Sequence, residues 1–133
     1  MTYISRNSST EDVVAATLYL EARGESEEGQ IWVVNVIKNR AKKNKSYWGG
    51  SDIKQVCLQP SQFSCWNGRD GVKIYETAAF ENCKRIVREV LNTDYDPSDG
   101  ADHYINPNKA NPSWAKNLNK LQQIGNHQFY KSK

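Results

Sequence analysis

The sequence predicts an α+β domain, mainly α, with a central buried helix and a small antiparallel β-hairpin or sheet. Three stretches carry apolar residues at helical spacing, two of them behind clear N-caps. One segment near the C-terminus alternates in polarity around a Gly-Asn turn. No repeat, low-complexity run or Pro/Gly linker divides the 133 residues. The expected organisation is a loose N-terminal arm over residues 1–9 and a single domain over 10–133.

The elements follow in order. Ser9 or Thr10 caps the first helix, Glu11 and Asp12 fill its first turn, and Val14, Leu18 and Glu21 share one face. Gly24 is its expected stop. Ser26 opens the second helix, which runs from Glu27 to the basic end at Arg40, Lys42 and Lys43. Ile31 to Ile37 is apolar nearly all round, so this helix is expected to be the most buried. Asp52 caps a short helix to Leu58. Gln62 to Trp66 reads as short and extended. A long helix is expected from about Tyr75 to Leu91, with Ala79, Cys83, Ile86, Val87 and Val90 on its inner face. Pro107 biases Asn106 towards extended geometry. Leu121 to Tyr130, alternating around Gly125-Asn126, reads as a β-hairpin.

Composition excludes several function classes. A net charge of +3 is far from that of a dedicated nucleic-acid binder, and 11% aromatic residues do not fit a disordered chain. The longest apolar stretch, Val13 to Leu20, is well short of the roughly 20 residues that span a bilayer, so no membrane insertion is expected. The N-terminus lacks an apolar core of the kind a signal peptide needs. Three cysteines without CxxC spacing and only two histidines make a metal site unexpected, and no cofactor is implied. Free thiols are the expectation; a Cys57–Cys65 bridge is the alternative.

Chemistry concentrates at Glu21-Ala22-Arg23-Gly24-Glu25. A carboxyl in the last turn of an apolar helix meets both the negative helix end and partial burial. Both disfavour its charge and suit it to act as a general acid. The competing reading is an ordinary solvated glutamate. Glu25 is expected to cap the second helix or to orient Arg23. The run Lys38, Arg40, Lys42, Lys43, Lys45 either complements a helix end or attracts an anionic polymer. A cysteine nucleophile is disfavoured, because no cysteine opens a helix after a Gly-rich or cationic turn.

Six pieces in order resemble the spore cortex-lytic enzyme family of bacterial cell-wall hydrolases. They are Tyr19-Leu-Glu-Ala-Arg-Gly-Glu25; Glu28-Gly-Gln30 with Val33, Val36, Asn39 and Arg40; Val56-Cys-Leu-Gln-Pro60 with Gln62-Phe63-Ser64; Gly100-Ala-Asp-His-Tyr104 with Asn106-Pro107; Pro112 with Trp114-Ala115; and Ile124-Gly-Asn-His127 with Phe129-Tyr130. The resemblance covers about residues 11 to 130. It implies a lysozyme-like domain related to lytic transglycosylases, cutting between N-acetylmuramic acid and N-acetylglucosamine in peptidoglycan. It places the family's acid-then-base glutamate at Glu21. It also implies that Gln62, Phe63 and Ser64 line the cleft and that Tyr104 and Asn106 face the carboxylate, with His103 at the cleft edge. Trp48, Trp66 and Trp114 are expected sugar platforms, whereas Trp32 and His127 are expected to be structural; core packing is the competing reading for Phe63 and Tyr104. A hydrolytic muramidase and a non-catalytic glycan-binding or virion domain remain the alternatives. A monomer bound to peptidoglycan glycan strands is expected. Without a leader it would suit a phage or prophage endolysin, held in the host cytoplasm until a holin-type pore releases it.

Overall fold

A computed structural model describes all 133 residues. Helices α1 (Thr10–Ala22), α2 (Glu27–Lys43), α3 (Ile53–Leu58) and α4 (Thr77–Leu91) pack around one core. A two-stranded sheet pairs β1 (Thr2–Ser5) with β2 (Gly71–Ile74). A three-stranded sheet has the order β3 (His103–Ile105), β5 (His127–Lys131), β4 (Asn119–Ile124). All pairings are antiparallel. The mainly α class with a small antiparallel accessory is the one expected. No helix is long and apolar enough to cross a membrane.

The caps act where the sequence placed them. Ser9 accepts from the Asp12 amide, Ser26 from the Gly29 amide, and Asp52 from the Lys54 and Gln55 amides. α2 is buried from Trp32 through Ala41, as anticipated. α1 is no less central: Val13, Val14, Ala15, Ala16 and Leu18 have no exposed surface, so its apolar residues cover the whole circumference rather than one stripe. Gly24 is not a left-handed stop, and α1 ends on Arg23 in right-handed geometry.

Three expectations need correction. Residues 1–9 are not a loose arm: Thr2–Ser5 pairs with Gly71–Ile74, burying Ile4 against Val72 and Ile74. The partner strand lies far along the chain, where no local signal reveals it. Gln62–Trp66 is not a strand, since Ser64–Trp66 makes a 3-10 turn. The run at 38–45 does not present a continuous basic surface to an anionic polymer. The Lys38 ammonium donates to the Val90 and Thr93 carbonyls, Arg40 is buried, and Lys43 pairs with Asp102, leaving Lys42 and Lys45 exposed.

Candidate active site

The end of α1 meets the face of β3. Glu21, half-buried in the last helical turn, accepts a 2.8 Å hydrogen bond through Oε1 from the Tyr104 hydroxyl. Burial raises its pKa above the ordinary carboxylate value, and the phenol's hydrogen bond offsets only part of that rise. Glu21 and burial together push the Tyr104 phenol well above its usual value, so Tyr104 stays a donor. A carboxyl whose pKa is raised, beside a fixed O–H donor, is suited to deliver a proton and take one back.

Tyr104 is itself held by rings. Phe129, directly opposite it in the register, lies 5.7 Å away, and the His127 ring lies 4.8 Å away. His127 was expected to be plain turn chemistry, yet it is buried, its Nδ1 has no partner, and burial lowers its pKa. Its signal in the sequence is the alternation that puts His127 and Phe129 on one face of β5 with Gln128 turned away.

A second layer braces β3. Asp102 has no exposed surface. Burial alone would raise its pKa, but His103 Nδ1, the Lys43 ammonium and the amide and hydroxyl of Ser132 all bond to it and hold it far below the usual range. Buried Arg40 donates to the Asp102 carbonyl at 2.8 Å and reaches Gln62 Oε1 at 3.3 Å. Sequence reasoning took Arg40 for part of a basic helix end; its place three and four residues after Ile37 and Val36, on the same buried face of α2, was the available clue.

The remaining expected site residues divide. Gln62 and Asn106 are half-buried and Ser64 is exposed, while the Asn106 side chain accepts from the Asn108 amide. His103 sits between Trp48, at 5.5 Å, and Trp114, at 5.0 Å. Trp114 is the tryptophan with an exposed indole, at 38%. Trp66 is not a platform: it is 1% exposed and its indole N–H donates to Thr17 in the core. Phe63 is likewise core at 2% exposure, under the Arg40 guanidinium, so it cannot lie beneath a sugar. Trp48 is also buried.

Arg23 and Glu25 do not act on each other. Arg23 pairs with Glu76 at 2.7 Å and stacks over Tyr19, whose hydroxyl also donates to Glu76. Glu25 accepts from the backbone and side-chain nitrogens of Asn126 at 3.0 and 2.9 Å, tying the α1–α2 turn to the β4–β5 turn. Gly125 makes that clasp possible, because a Cβ there would lie 2.5 Å from the Glu25 carboxylate. The three cysteines are free, and burial first raises each thiol, to about 12 for Cys57 and Cys65 and about 11 for Cys83. Thiols so protonated are poor nucleophiles. No cluster of three or more His, Cys, Asp or Glu stands ready to hold a metal ion.

Residues 24–130 match the Cell Wall Hydrolase family, a segment that begins just past Glu21. The chain is 36% identical over 117 residues to the spore cortex-lytic enzyme of Halalkalibacterium halodurans, covering 88% of this chain and 33% of that protein. It is 32% identical over 118 residues to the spore cortex-lytic enzyme of Bacillus subtilis, covering 88% of this chain and 36% of that protein. It therefore spans about a third of the length of these curated relatives. Among solved structures, the catalytic domain of the germination-specific lytic transglycosylase SleB from Bacillus anthracis superimposes with a TM-score of 0.70 at 27% identity, covering 94% of this chain and 98% of that one. The catalytic domain of the Bacillus cereus SleB protein gives 0.71 at 29%, covering 96% and 95%. The lysozyme-like architecture implied by the motifs is the one observed. In sequence and in fold, the chain belongs to the cell wall hydrolase family.

Proposed function

We propose that this domain cleaves the glycan strand of peptidoglycan at the β-1,4 bond between N-acetylmuramic acid and N-acetylglucosamine, as a lytic transglycosylase. Glu21 protonates the bridging oxygen as the bond to C1 breaks. The muramoyl 6-hydroxyl then attacks C1 and returns its proton to the Glu21 carboxylate. The products are a 1,6-anhydromuramoyl end and a free 4-hydroxyl, and the glutamic acid is regenerated.

The observation that carries this reading is the solitude of Glu21. Its one side-chain partner is the Tyr104 phenol, while Glu25 is committed to Asn126 and Glu76 to Arg23. Glycosidases that use water ordinarily need a second carboxylate to activate it or to attack C1. A 6-hydroxyl supplied by the substrate removes that need. The kinship with proteins described as spore cortex-lytic enzymes and as a lytic transglycosylase supports the substrate class.

Mass spectrometry of fragments released from purified peptidoglycan tests the proposal. Muramoyl ends lighter by one water than reducing ends are the expected product. Reducing muramic ends would make the enzyme a hydrolase, and intact glycan strands would overturn the reading altogether.

A further inference from the structure

The solvent face of the β1–β2 sheet has no role in the site described above. In its register Tyr3 stands opposite Lys73, and Ile4, Val72 and Ile74 point into the core. Alternation therefore puts Tyr3, Gly71 and Lys73 on the outer face, with Tyr75 next in line. Tyr3 and Tyr75 are 53% and 68% exposed. The Tyr3 ring lies across Gly71, where a Cβ would sit 2.4 Å from Cζ, so the glycine gives the ring its bed. With Leu20 and Arg69 these residues line a cavity of about 350 Å³.

The groove is linked to Glu21 through the chain and through Cys65. Leu20 precedes Glu21 in α1, and Arg69 donates at 3.3 Å to the carbonyl of Cys65, the residue whose thiol feels the Glu21 charge. Arg6 fixes the turn by donating to the Arg69 and Trp66 carbonyls at 2.5 and 2.6 Å. Two exposed phenols and two cations thus share a groove with Leu20, the residue before the candidate acid in α1. The nearby acids are Asp70, exposed in the same turn, and Glu76, which is paired with Arg23. Tyrosine faces accept the apolar C–H face of a pyranose, and Arg69 and Lys73 suit carboxylates.

We propose that the groove of Tyr3, Arg69, Lys73 and Tyr75 is an accessory subsite that holds the same carboxylate-bearing amino-sugar strand beyond the scissile bond. The subsite rests on the glycan-cleaving function proposed above. Its ligand is the sugar face on Tyr3 and Tyr75 together with a carboxylate on Arg69 and Lys73. That carboxylate is carried by the stem peptide, because the lactyl carboxyl is amide-linked wherever a stem is attached.

The test combines Lys73→Gln with Tyr75→Ala, both at exposed positions, and compares long peptidoglycan strands with a tetrasaccharide that reaches only the scissile bond. The expected result is a fall of about tenfold in kcat/KM on strands relative to the tetrasaccharide, carried by KM. In a Glu21→Gln background, sedimentation with purified peptidoglycan should weaken by a similar factor. Tyr95→Ala, an exposed tyrosine elsewhere, serves as the control. A Lys73→Gln loss that disappears on strands whose peptide carboxylates have been amidated supports the subsite, and one that persists unchanged there overturns it. An unchanged ratio, or an equal fall on both substrates, overturns it. Product formation by the unaltered protein is read separately, so failure of the cleavage reaction is distinguishable from failure of the groove.

Discussion

The Tyr104 hydroxyl donates to Glu21 Oε1 at 2.8 Å, joining residues 83 positions apart in the chain. The bond fixes the carboxyl at the end of α1 against β3. It also opposes the rise in pKa that burial imposes on Glu21. The phenol therefore orients the acid and keeps it from becoming too weak to give up its proton.

Removing that bond with Tyr104→Phe should lower kcat by roughly fivefold while the fold persists, since one hydrogen bond is worth about 1 kcal/mol. The sign on the pH profile is definite. Without the donor the charged carboxylate is less favoured, the Glu21 pKa rises further, and the high-pH limb of kcat/KM moves to higher pH. A profile recorded on peptidoglycan would show it.

Asp102→Asn should destabilise the fold by about 3–5 kcal/mol at neutral pH, because it removes a buried charge that His103, Lys43 and Ser132 surround. The folded pKa of Asp102 lies below its unfolded value. Its stabilisation is therefore present above the ordinary carboxylate pKa of about 4 and is lost as pH falls below it. Urea midpoints of parent and variant should differ most at pH 7 and converge on acidification.

Much of this is legible in the sequence. The serines at 9 and 26, Asp52, the spacing in α4 and the Gly125-Asn126 turn are local signals, readable from neighbours three or four residues away. The ordered motifs put Glu21 and Tyr104 together in advance, which composition and periodicity alone did not. The failures share a cause. Thr2–Ser5 needed Gly71–Ile74, Arg23 needed Glu76, Trp66 needed Thr17, and Glu25 needed Asn126, each a partner distant in sequence. Trp66 and Phe63 invited a sugar-stacking reading because an indole or phenyl ring serves a core and a carbohydrate equally well. Only burial tells these uses apart.

That distinction can be measured. Trp66→Phe should cost stability, about 2 kcal/mol for lost packing and the lost indole hydrogen bond to Thr17, and leave affinity for glycan unchanged. Trp114→Ala should do the reverse, with a melting temperature near the parent's and weaker glycan binding. Thermal melts and peptidoglycan co-sedimentation on the pair would separate the two roles.

Glu25→Gln should be mild. The amide retains one acceptor for Asn126, so the loss should be at most about 1 kcal/mol, with activity largely kept. Asn126 holds the folded pKa of Glu25 below its unfolded value, so the deficit should be present at neutral pH and fade as pH falls through the carboxylate range. Melting curves at pH 7 and pH 3 would check the trend.

Turnover of Glu21→Gln on purified peptidoglycan tests the central claim most directly. Glutamine keeps the size and can still accept from Tyr104, but it cannot deliver or retrieve a proton. General acid–base catalysis is worth about 10²–10⁴ in rate, and here one group performs both halves. Burial raises the folded pKa of Glu21, so the charged form is penalised as pH rises through that value. The variant should therefore melt no lower than the parent at neutral pH, and any gain should vanish below the unfolded pKa of about 4. The account predicts at least a roughly thousandfold fall in turnover, with fold and glycan binding retained. A Glu21→Gln protein that still clears a peptidoglycan suspension at the parent's rate would contradict it.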